Sequence, residues 1–229
     1  MVVSDTSTDQ VDVQVALDTE DLALAVRIAE SVGDIARIEA GTPLLHRHGL
    51  AALRALTSSL PGSVVVADWK TMDCGAKDAE MTLETGAQGM IVQAAAPIET
   101  ILAAASVMNA AGCFIMVDLL GCDDIAESIQ KLAEVPFESL VVHAGIDEQA
   151  RGVSPLNRLR RVSLAADHLR LAVAGGLAPV DIPPLLQVDS LKVVIVGASV
   201  YSDKTPRAIV HQIRRCFTSG HTKGDPSAC

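Results

Sequence analysis

"VVVADWKTMDCGAKD", residues 64 to 78, begins as an apolar run and then places Asp68, Lys70 and Asp73 within six positions, around the chain's one tryptophan, Trp69. A β-branched run of this kind reads as a buried strand. Asp68 and Lys70 stand two apart, so on an extended chain both side chains leave one face while Trp69 leaves the other, toward packing. Charges that close a buried strand need a reason, and the reason depends on whether other strands end in the same way.

They do. Apolar, β-branched runs recur as "VDVQVAL" from Val11, "IARIEAG" from Ile35, "SVVVADW" from Ser63, "GMIVQAA" from Gly89, "CFIMVDLLG" from Cys113, "SLVVHAG" from Ser139, "LRLAVAGG" from Leu169 and "LKVVIVGAS" from Leu191, with starts 22 to 30 residues apart. The segments between them have helical spacing. In "DTEDLALAVRIAESVG", Leu22, Ala25, Val26, Ala29 and Val32 follow an Asp/Thr cap signal, and "PIETILAAASVMNAAG" ends on a helix-stopping Gly112. Strand then helix, eight times, predicts an α/β protein with a single (β/α)8 TIM barrel. A doubly wound open sheet fits less well, because the first strand ends in "VALDTED" rather than in a glycine-rich turn. The reading gives one barrel domain over residues 1–217 and a polar, disordered tail over 218–229.

Composition agrees. The apolar share is 49% with only 2% aromatics, which suits helices on a parallel sheet. No apolar run approaches the roughly 18 residues that span a bilayer, and the start, "MVVSDTSTDQ", has no signal-peptide pattern. The expectation is a cytoplasmic protein. A formal charge of −10 argues against nucleic acid or an anionic membrane as partner. The five cysteines show neither CxxC nor paired spacing, so they read as reduced thiols, with Cys113 in the core.

In such a barrel the chemistry sits at the C-terminal strand ends. In order these are Asp18, Glu39, Asp68 with Lys70, Gln93, Asp118, His143, Gly175 with Gly176, and Gly197 with Ala198 and Ser199. Asp68 and Lys70 form either a plain buried ion pair or, with Glu39 and Asp18 nearby, an oxygen-rich site suited to Mg²⁺. The small residues after the last two strands either open turns or hold a phosphate on backbone N–H groups, and their corner of the barrel favours phosphate. His143 is a candidate acid or base near neutral pH. Arg151 reads as solvent-exposed. His46 and His48 lie where two-residue spacing does not converge on a metal.

"QVALD", "IEAGTPLL", "ADWKTMDCGAKDAEM", "DLLG", "HAGIDEQARG" and "VAGGL" resemble, in order and spacing over residues 11 to 215, the 3-hexulose-6-phosphate synthase family of the orotidine monophosphate decarboxylase suprafamily. The resemblance implies a barrel that forms a homodimer with active sites at the interface, and an Mg²⁺-assisted aldol condensation of formaldehyde with ribulose 5-phosphate, or its reverse. By position it implies Glu39 and Asp68 as metal ligands, Lys70 on the enediolate oxygens, and Asp73 reaching into the partner's site. It also implies Asp18 in the lysine network, His143 in proton transfer, and Gly175, Gly176, Gly197 and Ala198 at the phosphate. His143, Asp68 and Asp73 remain open as the base. The related 3-keto-L-gulonate 6-phosphate decarboxylases, the alternative reading, typically carry Arg where this chain has Ile146 and Ala198. The chain departs from the synthase pattern after the fourth strand, in "VQAAAPIET", so Gln93 and Pro97 are expected to reshape the substrate rim. It also departs at Trp69 and in "VGASVYSDK".

Overall fold

The computed structural model describes residues 11–219. Eight parallel strands close into a barrel in sequence order: β1 (Asp12–Leu17), β2 (Arg37–Ala40), β3 (Val65–Thr71), β4 (Gly89–Gln93), β5 (Phe114–Asp118), β6 (Ser139–His143), β7 (Leu171–Ala174) and β8 (Leu191–Val196), with β1 pairing β8. Helices α1 (Leu22–Val32), α2 (Thr42–His48), α3 (Leu50–Ser59), α4 (Gly75–Leu83), α5 (Ile98–Ala110) and α6 (Ile125–Lys131) follow the first five strands. Helices α7 (Ile146–Gln149), α8 (Pro155–Ala165), α9 (Ile182–Leu185), α10 (Ala198–Tyr201) and α11 (Pro206–Ser219) follow the last three. The (β/α)8 architecture expected from the strand rhythm is the one observed.

Local chemistry explains the elements. Asp21 caps α1 by accepting the Leu24 N–H at 2.9 Å, and Ala25, Ile28, Ala29 and Val32 bury one face. Helix α5 stops at Ala110, and Gly112 takes φ 71° just beyond it. Alternation divides each strand between two cores. Val13, Val15 and Leu17 on β1 face the helices, as do Ile38 and Ala40 on β2. Ala16, Val66, Ile91, Met116, Val141, Ala172, Val193 and Ile195 fill the barrel itself. Its lower end is closed by Arg37, which pairs with Asp12 at 2.8 Å and Glu138 at 3.2 Å and lies 5.6 Å from the Phe114 ring centroid.

Four expectations are corrected or bounded. Lys70 is not extended: it has φ 50°, and the β3–β4 register shifts between Ala67 and Thr71. The last helix runs through Ser219, past the boundary placed at 217, and the rest of the expected tail lies outside the described residues. Cys113 is only partly buried, because it precedes β5 rather than lying within it. Cys74, Cys113 and Cys122 are free thiols, but Cys216 is disulfide-bonded rather than reduced. Among the described residues no helix is long and apolar enough to cross a membrane.

Candidate active site

Inward-facing residues at the upper ends of the strands form a charged ring. On its β1–β3 side Asp68 is 4% exposed, and its Oδ2 accepts hydrogen bonds from Lys70 Nζ at 2.7 Å and Thr42 Oγ1 at 2.8 Å. Its Oδ1 is buried without a partner, and an unpaired buried acceptor costs about 1–3 kcal/mol. Glu39, also 4% exposed, accepts from Gln14 Nε2 at 2.6 Å. Burial first, and then the Asp68 and Asp18 carboxylates, push the Glu39 pKa well above the ordinary carboxylate range against the Gln14 hydrogen bond and Lys70. Asp18 lies at the mouth with its side chain open to solvent, its oxygens over Gly41 and Gly197. The crowding of the ring still desolvates that carboxyl enough, together with Asp68, to raise its pKa. Burial works to lower the Lys70 pKa, but the carboxylates of Asp68, Asp118 and Glu39 outweigh it and raise it, so Lys70 is held as an ammonium.

Three acidic side chains around one ammonium, with a buried carboxylate oxygen left over, form a site short of positive charge. Hard oxygen donors of this kind fit a Mg²⁺ ion. Glu39 and the free oxygen of Asp68 are the donors the chain offers. Among the described residues no three His, Cys, Asp or Glu side chains are grouped to hold a metal ion by themselves, so a Mg²⁺ ion here would need waters or substrate oxygens as its other ligands.

On the β4–β6 side, Asp118 is 1% exposed, and its Oδ2 lies 2.8 Å from His143 Nδ1 while its Oδ1 accepts the Leu120 N–H at 2.8 Å. This contact assigns the proton to Nδ1 and leaves Nε2 as the working nitrogen. Sequence reading put Asp118 on the ring without a role; the signal was available, since neighbouring strands β5 and β6 bring their end residues together. Gln14 and Thr42 were also missed, although Gln14 occupies an inward position on β1 and Thr42 opens the helix after β2.

The last two strands supply the small residues. Gly175 and Gly176 take φ 125° and 61°, and a Cβ on Gly175 would meet the Ala144 carbonyl oxygen at 2.4 Å, so that position requires glycine. Gly197 precedes α10 and Ala198 opens it. Ser199 Oγ donates to the Leu177 carbonyl at 2.7 Å, tying the two loops together. The expected phosphate residues therefore share one corner.

Asp73 lies apart. It is exposed, and its Oδ1 accepts the Cys74 N–H at 2.7 Å, so within one chain it does not join the ring. Trp69 faces the helices as alternation predicts, and its indole N–H donates to Thr82 on α4 at 2.9 Å, which accounts for a large residue there. Arg151 is exposed, and His48 lies 2.8 Å from the Glu20 carbonyl rather than beside His46 in a metal site. A cavity of about 450 Å³ opens at the opposite end of the barrel, near Phe137 and Arg170. It holds none of the ring residues.

Known proteins agree with the geometry. A model of the orotidine 5'-phosphate decarboxylase / HUMPS family matches residues 12–213. The chain belongs to that family. Within the orotidine 5'-phosphate decarboxylase / HUMPS family it is 32% identical over 202 residues to a 3-hexulose-6-phosphate synthase of Mycobacterium gastri, a match covering 88% of this chain and 97% of that one. The crystal structure of 3-hexulose-6-phosphate synthase from Salmonella typhimurium superposes with a TM-score of 0.85 at 30% identity, covering 92% of this chain and all of that one. KGPDC from Streptococcus mutans, solved as a ligand complex, superposes with a TM-score of 0.82 at 28% identity, covering 91% of this chain and 98% of that one. This member of the family is an enzyme similar to 3-hexulose-6-phosphate synthases.

Proposed function

We propose that the protein condenses formaldehyde with D-ribulose 5-phosphate to 3-hexulose 6-phosphate, and catalyses the reverse cleavage, with Mg²⁺ as cofactor and as a homodimer. The observation that carries this reading is Asp68, one oxygen held by Lys70 and Thr42 and the other buried without a partner, beside the buried carboxyl of Glu39.

The steps follow from the residues. The substrate phosphate rests on the backbone at Gly175, Gly176, Gly197 and Ala198, which places the ketose carbons across the mouth toward the carboxylates. His143 Nε2 takes a proton from C1. The C–H electron pair forms the C1–C2 double bond, and the carbonyl electrons move to oxygen, where the Lys70 ammonium donates a hydrogen bond to the charge as it develops. C1 then attacks the formaldehyde carbon, a C–C bond forms, and the new alkoxide takes the proton back from His143. When bound, Mg²⁺ supplies further positive charge beside these oxygens. Asp68 gives one oxygen to Lys70 and Thr42 and keeps the other as the proposed metal donor, and Asp73 lies outside the ring, whereas His143 has Asp118 to orient it, which favours His143 as the base.

Decarboxylation of a sugar-acid phosphate is the second reading, raised by the match to KGPDC. The two positions where the resemblance places an arginine in those decarboxylases hold Ile146 and Ala198 here, which favours the synthase reading. The test is to incubate purified protein with Mg²⁺, ribulose 5-phosphate and formaldehyde and to follow formaldehyde loss. Consumption that stops in chelator and in Lys70→Ala, with the circular dichroism spectrum unchanged, is the expected result. CO₂ release from 3-keto-L-gulonate 6-phosphate without formaldehyde consumption overturns it.

A further inference from the structure

Gln93 ends β4 with its side chain directed into the barrel, two residues beyond the interior Ile91. It is 5% exposed, and its amide nitrogen is buried without a hydrogen-bond partner. A buried amide donor left unpaired is costly, and a leucine of similar size fills such a place without that cost. The surrounding backbone is firmly set: Ala94 N–H donates to the Asp118 carbonyl at 2.8 Å, Ala96 N–H to the Gln93 carbonyl at 3.1 Å, and Lys131 Nζ to the carbonyls of Ala94, at 2.8 Å, and Ala96. Asp118, its register partner on β5, does not satisfy the amide: its oxygens are directed to Leu120 and His143. In the closed strand order β4 stands four strands from β8, across the mouth from Gly197 and Ala198.

We propose that Gln93 is a specificity-determining residue that donates a hydrogen bond from its amide to an oxygen, hydroxyl or carbonyl, on the part of the substrate remote from the phosphate. The proposal deepens the phosphosugar reading of the same site and rests on it. A donor poised in this way selects substrates that carry an oxygen at its position, because an analogue lacking that oxygen leaves the amide buried and unpaired.

The test compares wild type with Gln93→Leu, and with Gln93→Met as a second apolar variant in case leucine does not fold. Ribulose 5-phosphate and inorganic phosphate are titrated as probes by calorimetry, and melting temperature is recorded without ligand. The apolar variants are expected to melt at or above the wild-type temperature, to bind ribulose 5-phosphate about tenfold or more weakly, and to bind inorganic phosphate as wild type does. Equal affinity for ribulose 5-phosphate in variant and wild type overturns the role of Gln93 and leaves the phosphosugar reading standing. A lower melting temperature with unchanged ligand preference also overturns it, by showing that the amide serves the fold. A wild-type protein that does not bind ribulose 5-phosphate sinks both readings.

Discussion

Glu39 carries the clearest electrostatic signature of any single residue at the mouth. Its carboxyl is protonated more readily in the fold than in the unfolded chain, because burial and the Asp68 and Asp18 charges disfavour the anion. The sign of the linkage follows: its contribution to stability is fully present below the ordinary value of 4.5 and is lost as pH rises through the elevated folded value. Metal-free protein is thus expected to lose stability on account of this residue as pH rises above 4.5. Glu39→Gln, which keeps the Gln14 contact available without a charge, flattens that loss. Urea unfolding at several pH values in chelator checks this, and a variant whose pH dependence matches wild type counts against it. If Glu39 and Asp68 hold the proposed Mg²⁺, adding the ion at about a hundred times its Kd is expected to stabilise wild type by about 2.7 kcal/mol, and Glu39→Gln and Asp68→Asn are expected to lose most of that gain. Residue positions were legible in the sequence where one periodicity decides them. Strand-end position put Glu39 and His143 on the ring and alternation put Asp68 and Lys70 on one inner face, yet Lys70 meets Asp68 through a left-handed backbone rather than an extended one. Such a conformation costs a non-glycine residue about 1–2 kcal/mol, and no pattern of residue types announces it. The roles of Asp118 and Gln93 depend on which partners lie within reach, and only distances supply that.

At the scale of an element, α7 is four residues long and cannot be stable by itself. Its side chains hold it in place over the mouth. Glu148 accepts the Gly145 N–H at 3.0 Å, Gln149 donates to the Ala144 carbonyl at 2.7 Å, and Arg158 of α8 grips Glu148 with two hydrogen bonds of 2.8 Å while also reaching the His143 carbonyl. The Arg158 hydrogen bonds hold the Glu148 carboxyl down to about 2, against the opposing effect of burial. A depressed carboxylate pKa contributes stability that is present above the ordinary 4.5 and is lost as pH falls through about 2. The stability difference between wild type and Glu148→Gln is therefore expected to be constant from neutral pH to about pH 5 and to shrink below it. Thermal melts across that range check the trend; a difference that grows in acid sinks it. Long helices such as α1 and α5 were legible because their apolar faces repeat over several turns. Helices α7, α9 and α10 were not, because a single turn held by side chains from other elements leaves no period to read.

For the whole molecule, the ring inside one barrel leaves Asp73 unaccounted for. The residue lies three positions beyond Lys70 but is exposed, beside the exposed Met72 and ahead of Cys74, whose φ is 56°. If the homodimer proposed above places Asp73 in the neighbouring subunit's site, each site needs Lys70 from one chain and Asp73 from the other. Lys70→Ala and Asp73→Asn are then each inactive alone. A mixed dimer of the two contains one site with both defects and one with neither, since the barrel that keeps Lys70 receives an intact Asp73 from its partner. Random reassembly of equal amounts makes half the dimers mixed, so about a quarter of the wild-type formaldehyde-consuming activity returns. Denaturing, mixing and refolding the two variants, followed by the formaldehyde assay, measures this directly. Full activity in Asp73→Asn alone removes the residue from the chemistry. If Asp73 instead acts within its own chain, every barrel of a mixed dimer carries one defect, and mixing restores nothing beyond the sum of the two parents.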